Sequence, residues 1–244
     1  MSKIYIMIPA RMESSRFPNK PIAKINKKEM LIRVLERCKS KYKVFAVVNS
    51  EILIQLASNY GYKSILIDDI CSTGTDRIAK AVNKLSLCED DIIINVQGDE
   101  PLINLSMIEK VIEKKIDHPD KVINAVSSIN SEEEFLSRNV IKMAFSKNSN
   151  LLYASRSAIP SNKKEAGYEG KFKQTCIYAF SVKQLNKFSS TKRGPIEKSE
   201  DIEILRFLEN NLCDVSIVDL GQNDLHAVDH PEDIKIIENI LNRQ

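Results

Sequence analysis

Short β-branched runs alternate along this chain with longer stretches whose apolar residues recur at helical spacing. Residues 4–8 read as a buried strand. Residues 28–40 read as a helix, with Met30, Leu31, Val34, Leu35 and Cys38 on one face. The alternation continues with strands at 44–48, 64–67, 91–95 and 122–126 and helices at 51–60, 75–85 and 105–116. Continuous apolar strands between amphipathic helices predict a parallel sheet covered on both faces. The middle breaks the rhythm: strand-like pieces at 141–145, 151–154 and 176–180 flank a polar loop, 161–173, with two glycines and several lysines. This predicts an antiparallel β insertion. Helices at 183–188 and 196–210, a strand at 215–220 and a helix at 231–242 complete the pattern. The last helix opens with Pro231 and carries Glu232 and Asp233 in its first turn. The expectation is one α/β domain over 1–244, with a mostly parallel, Rossmann-like sheet contributed by about 1–130 and 212–244 and an insertion over about 131–211.

Composition narrows the chemistry. Only 7 of 244 residues are glycine, under half the usual share of about 7%. Neither G-x-G-x-x-G nor G-x-x-x-x-G-K-[ST] occurs. If phosphates are held, charged side chains must do much of the holding. The charge is nearly balanced, with 36 Lys and Arg against 33 Asp and Glu, so no nucleic-acid footprint is present. Lys39, Lys41 and Lys43 read as a solvated helix end. The 5 cysteines (38, 71, 88, 176 and 213) are odd in number, widely spaced and without C-x-x-C. That fits a reducing cytoplasm better than a disulfide framework or a zinc site. The apolar N-terminal run, broken by Pro9 and Arg11, is too short for a signal core or a membrane span.

In open parallel sheets ligands bind beyond the carboxyl ends of the strands, so the segments that follow each strand matter most. After the first comes 9–21, P-A-R-M-E-S-S-R-F-P-N-K-P, with Arg11, Arg16 and Lys20 on a backbone stiffened by three prolines. Such a loop suits a polyphosphate. After the third comes C-S-T-G-T-D-R, 71–77, where Ser72 or Thr73 can cap the next helix. After the fourth comes N-V-Q-G-D-E-P, 95–101. Asp99 there either caps a helix or holds Mg²⁺ against phosphate oxygens, and the cationic loop tips the balance towards metal. Asp229, in A-V-D-H-P-E-D, is either an N-cap or a second carboxylate converging on the same cation.

Taken in order, I-P-A-R-x-x-S-S-R-F-P-x-K-P, S-T-G-T-D-R, N-V-Q-G-D-E-P, Y-A-S-R (153–156) and V-D-H-P-E-D are similar to the motifs of the 3-deoxy-manno-octulosonate (Kdo) cytidylyltransferases, or CMP-Kdo synthetases. The resemblance runs nearly end to end. It implies a GT-A-like nucleotidyltransferase fold and Mg²⁺-dependent transfer of CMP from CTP to a 3-deoxy-2-keto sugar acid. It implies that Arg11, Arg16 and Lys20 hold the triphosphate. Pro9, Ala10, Ser72, Gly74, Arg77 and Gln97 would surround the nucleotide, and Asp99 and Asp229 would bind the metal. It places Arg156, Gln174, Tyr178, Glu200 and Glu203 at the sugar acid. It implies Arg11, Lys20, Asp99 and Asp229 as the catalytic set, and a homodimer built through the insertion. Three places depart from the pattern. Q-T-C-I-Y-A-F (174–180) stands where the family has H-x-G-I-Y-x-Y, Lys27 replaces a glycine, and Asn19 replaces another. Asn tolerates left-handed backbone, so the first loop should survive. The departures near the sugar leave open a different acid acceptor: an amino-substituted octulosonate, a nonulosonate or a phosphonate.

Overall fold

The computed structural model describes residues 2–14, 16–163 and 167–243. Ser15, in the first loop, and 164–166, in the polar loop of the insertion, lie outside the described residues. The chain begins with β1 (Ile4–Ala10), whose side chains alternate between two buried surfaces. Ile6 and Ile8 enter one apolar cluster, and Tyr5 and Met7 enter the other. A loop and a short 3₁₀ turn at Lys20–Ile22 lead to a small hairpin, β2 (Lys24–Ile25) and β3 (Lys28–Glu29). Its turn residues Asn26 and Lys27 have φ 44 and 66, the left-handed pair that a tight hairpin needs. The helix expected over 28–40 is therefore shorter, α1 (Met30–Arg37), because its first residues belong to the hairpin.

Alternation follows with β4 (Lys43–Val48), α2 (Glu51–Asn59), β5 (Lys63–Leu66), α3 (Gly74–Lys84), β6 (Ile92–Val96), α4 (Leu105–Asp117) and β7 (Val122–Ser128). The insertion contributes α5 (Glu132–Leu136), β8 (Lys142–Phe145), β9 (Leu151–Ser155), β10 (Phe172–Ser181), α6 (Val182–Ser190), α7 (Pro195–Glu200) and α8 (Leu205–Glu209). The chain closes with β11 (Val215–Asp219) and α9 (Asp233–Leu241). The main sheet runs β11-β7-β10-β6-β1-β4-β5. All its pairs are parallel except those of β10, which lies antiparallel between β6 and β7. The inserted strand is thus part of the central sheet, and only the β8–β9 hairpin extends beyond it. One face carries α1, α2, α4 and α9, and the other carries α3, α6 and α8.

The helix expected over 196–210 is two helices. Asp201 adopts φ 51 between them. The carbonyls of Glu200 and Asp201, which a continuing helix would use internally, instead accept from the Arg156 guanidinium at 2.6 and 3.2 Å. Tertiary partners override local periodicity here. Among the described residues no helix is long and apolar enough to cross a membrane.

Candidate functional site

Two adjoining clefts open beyond the carboxyl ends of β1 and β6. The first, about 450 Å³, is lined by Pro9 and Ala10 at the end of β1, by Arg11, Arg16 and Lys20 after it, by Gly74 and Arg77 of α3, and by Gln97, Gly98 and Asp99 after β6. The second, about 350 Å³, lies towards the insertion and is lined by Glu100, Val140, Lys173, Gln174, Cys176 and His226 among others. Arg16, Asp99, Arg156 and Asp229 line both. Two carboxylates and two guanidinium groups therefore stand at the boundary between the clefts.

The first loop is folded by its own backbone. Asn19 takes the left-handed conformation at φ 58, and its N–H donates to the Met12 carbonyl at 3.1 Å. This brings Lys20 over the end of β6, where its ammonium donates to Asp99 Oδ2 at 2.6 Å and to the Val228 carbonyl at 2.7 Å. The Val228 N–H in turn donates to the Asp99 carbonyl at 2.9 Å. Arg16 pairs with Asp229 at 2.9 Å. Asp229 does not cap α9, whose N-cap position is Glu232; instead Asp233 Oδ2 accepts from the Asp229 and His230 N–H groups at 2.8 and 2.7 Å and fixes the backbone before the helix. The Asp229 carboxylate is left to face the cleft.

Close approach explains one glycine. A Cβ on Gly98 would lie 2.8 Å from the Pro9 carbonyl oxygen, so any side chain there forces the ends of β1 and β6 apart. Gly98→Ala is expected to cost about 1–3 kcal/mol of stability, as overpacking does, and to raise the KM for a nucleotide in the first cleft. Thermal unfolding and a substrate titration read both, and an unchanged midpoint would refute the steric account.

The loop before α3 is held from below. Thr73, not Ser72, is the N-cap, accepting from Asp76 N–H at 3.1 Å. Ser72 is absent from the lining of the first cleft, where its neighbours Cys71 and Thr73 stand. Arg77 lines it but is mostly buried, and its guanidinium donates to the Ile67 carbonyl. Glu203, expected at the sugar, accepts from Thr75 N–H at 3.1 Å and from Gln97 Nε2 at 3.3 Å. It braces the floor of the first cleft, and burial pushes its carboxyl up.

Three other sugar-side expectations also shift. Tyr178 is buried in the sheet, stacked on Phe180 with ring centroids 5.9 Å apart, and lines neither cleft. An irregularity in the β10–β7 register between Gln174 and Tyr178 breaks the simple alternation that would have put them on one face. Gln174 lines the second cleft, but its Nε2 donates to Asn124 Oδ1 at 2.8 Å. Glu200 lines neither cleft. Its carboxylate accepts from Ser155 Oγ at 2.7 Å and Arg156 N–H at 2.9 Å, and so fixes the end of β9. Glu100, passed over in the sequence as a ligand, lies beneath the shared boundary. Burial, with Asp99 adding to it, pushes its carboxyl up to about 8, and its Oε2 has no partner among the described residues. Burial also pushes the Cys176 thiol well up, so it is no thiolate nucleophile. The sequence around Glu200 and Glu203 is rich in charged residues, and nothing in it marks which neighbour each carboxylate serves.

Among the described residues no group of three or more His, Cys, Asp and Glu side chains is arranged to hold a metal by itself. The pair Asp99 and Asp229 fits a hard cation that completes its shell with water and phosphate oxygens. Each acid faces a side-chain cation, Lys20 or Arg16, with which such an ion would compete for the carboxylate.

Comparison with known proteins agrees with this geometry. The family described as cytidylyltransferase matches residues 5–220. The 3-deoxy-manno-octulosonate cytidylyltransferase of Francisella tularensis subsp. novicida (strain U112) is 36% identical over 250 residues, covering 99% of this chain and 100% of its own. The protein of the same name from Thermodesulfovibrio yellowstonii is 35% identical over 249 residues, covering 97% of each. The solved structure of a CMP:2-keto-3-deoxy-manno-octonic acid synthetase complexed with CTP has a TM-score of 0.88 at 28% identity, with 99% of both chains covered. A 4-diphosphocytidyl-2C-methyl-D-erythritol synthase, with a TM-score of 0.65 at 13% identity, shares the GT-A-like nucleotidyltransferase fold. By its motifs, its fold and its full-length relatives, the chain belongs to the cytidylyltransferase family and groups there with the 3-deoxy-manno-octulosonate enzymes.

Proposed function

We propose that this protein transfers CMP from CTP to the anomeric hydroxyl of a 3-deoxy-2-keto sugar acid, Kdo or a close analogue, with Mg²⁺ and with release of pyrophosphate. The observation that carries this reading is the pair of adjoining clefts sharing Arg16, Asp99, Arg156 and Asp229. A transferred group must pass between donor and acceptor at one place, and the charged residues concentrate there. The names of the relatives and of the CTP-complexed neighbour support the same donor and acceptor.

In this reading Arg11, Arg16 and Lys20 bind the triphosphate in the first cleft. The sugar hydroxyl, in the second, forms a bond to the α-phosphorus as the bond to the pyrophosphate oxygen breaks, and the hydroxyl proton is released. Such a transfer needs positioning and charge neutralisation more than covalent help from the protein. Asp99 and Asp229 would hold Mg²⁺, which neutralises phosphate charge and eases loss of the hydroxyl proton. Lys20 and Arg16 are then free to follow the phosphates, since each pairs with one of these acids. Arg156 faces both clefts and can meet the acid's carboxylate, although its guanidinium already donates to three backbone carbonyls.

Pyrophosphate release is the test. It is expected only when CTP, Mg²⁺ and a 2-keto-3-deoxy sugar acid are all present, and no release across a panel of such acids would sink the reading. A second acceptor, an amino-substituted octulosonate, belongs in the panel, because Gln174 and Cys176, the two departures from the family pattern in β10, line the second cleft. A homodimer through the insertion is inferred from the exposed Leu136 and Leu152 on that part of the surface, and sedimentation reads it directly. A cytoplasmic place in the supply of an acidic-sugar polysaccharide follows from the same reading.

A further inference from the structure

Lys142, on β8, is a buried ammonium that the transfer chemistry does not use. Its Nζ donates to the carbonyl oxygens of Ser137 and Val140 at 2.7 Å and of Arg156 at 2.6 Å. No carboxylate accepts from it among the described residues. An ammonium has three N–H donors, and here each has one carbonyl. All three accepting residues line the second cleft. The Arg156 guanidinium donates onward to the carbonyls of Glu200, Arg138 and Asp201. Two cations thus stitch together three stretches of backbone: 137–140, the end of β9, and the break between α7 and α8.

We propose that Lys142 is a positioning residue for the acceptor, its ammonium holding the 137–140 segment against the end of β9 and so setting the shape of the second cleft. The proposal rests on the reading of that cleft as the acceptor site. Only the protonated form has a donor for each of the three carbonyls; a neutral amine has two. A carbonyl left behind the wall without a partner carries its full desolvation cost, so the wall must shift to solvate it.

Burial, reinforced by the positive charge of Arg156 and opposed by Glu200, pulls the Lys142 ammonium down to about 8. The other charges nearby are Arg138 and Asp201, reached through Arg156, and Lys173, which is opposite Lys142 on β10 and paired with Glu134. In the unfolded chain a lysine keeps its proton to about pH 10.4. Between the two values the folded state binds fewer protons than the unfolded one. The contribution of Lys142 to stability therefore rises with pH through that window. The clamp weakens through the same window. Stability and acceptor affinity should move in opposite directions, which a purely structural lysine would not produce.

The experiment measures KM for the sugar acid and for CTP from about pH 7 to about pH 9 in the wild-type chain, Lys142→Met and Glu100→Gln. Glu100 is included because its carboxyl also titrates near 8 in that cleft. Amide hydrogen exchange of wild type and Lys142→Met is compared at one pH. In wild type and Glu100→Gln the acceptor KM is expected to rise about tenfold across the range, the scale of one lost hydrogen bond. The KM for CTP should move less than about twofold. In Lys142→Met the acceptor KM should already be high at the low end and stay flat, with faster exchange confined to 137–140 and 155–157. A flat wild-type acceptor KM, or unchanged exchange in Lys142→Met, overturns the proposal. If Lys142→Met does not fold, the wild-type and Glu100→Gln profiles decide. If no acid turns over, the functional reading has failed, and the exchange comparison alone judges the clamp.

Discussion

Asp99→Asn is expected to lower kcat by about a hundred- to a thousandfold, the cost of removing one preorganised charge from a phosphoryl-transfer site. Asparagine keeps the shape of the side chain. It cannot balance the Lys20 ammonium, 2.6 Å away, and it is a poor ligand for a hard dication. The fold should hardly notice. The Lys20–Asp99 pair is partly exposed, so its loss is expected to cost no more than about 1 kcal/mol. Pyrophosphate release together with a thermal unfolding midpoint separates the two effects. Near-normal turnover in this variant would remove Asp99 from the metal site and leave the boundary between the clefts without its central acid.

The largest expected effect on stability lies elsewhere. Arg206, on α8, is 2% exposed and pairs through Nε and Nη2 with Glu197 of α7, which is fully buried, at 2.8 Å each. Its Nη1 reaches Asp76 of α3 at 2.8 Å, and its guanidinium carbon sits 3.7 Å from the centroid of the Phe188 ring. Arg206→Ala removes two hydrogen bonds from a buried carboxylate, leaving it the more exposed Arg193 at 3.1 Å, and opens a hole beside Phe188. Breaking a buried pair from one side costs about 3–5 kcal/mol. For a domain of this size that is a fall in midpoint of about 6–20 °C. Because Asp76 also binds the Thr73 hydroxyl at 3.0 Å, the loss should loosen the floor of the nucleotide cleft and raise the KM for CTP as well. A midpoint within about 2 °C of wild type would mean that α7 and α8 are held by their apolar contacts alone.

Much of this architecture could be read from the chain before any coordinates. Runs such as 4–8 and 92–94 are apolar at every position because both faces of the sheet are covered, and that pattern survives in the structure. The antiparallel direction of β10 agrees with the insertion expected there, but its place does not: nothing local in the run shows that it enters the central sheet between β6 and β7. Part of the nucleotide side of the site was legible because Arg11, Gln97 and Asp99 sit just past the ends of β1 and β6, where the strand leaves little choice of direction. The sugar side was not. Glu200, Glu203 and Tyr178 lie on segments whose direction depends on a broken helix and an irregular strand, and both depend on contacts distant in sequence. Asn19 is a middle case. Its tolerance of left-handed backbone was a local property, and its φ of 58 fits that tolerance.

Lys20 and the Val228 carbonyl that it grips are 208 positions apart, and Arg16 and Asp229 are joined across nearly the same span. A ribosome adding about 5–20 residues per second needs on the order of 10–40 seconds to cover that interval. Throughout that time the cationic loop exists without the segment that completes it. The residues of β1, β4 and β5 are made early, but the boundary between the clefts cannot assemble until residues 228 and 229 have followed. Closing that contact last means that a truncated or stalled chain lacks one of the two boundary acids. Competence for transfer therefore waits on the synthesis of Asp229, however early the cationic loop is made.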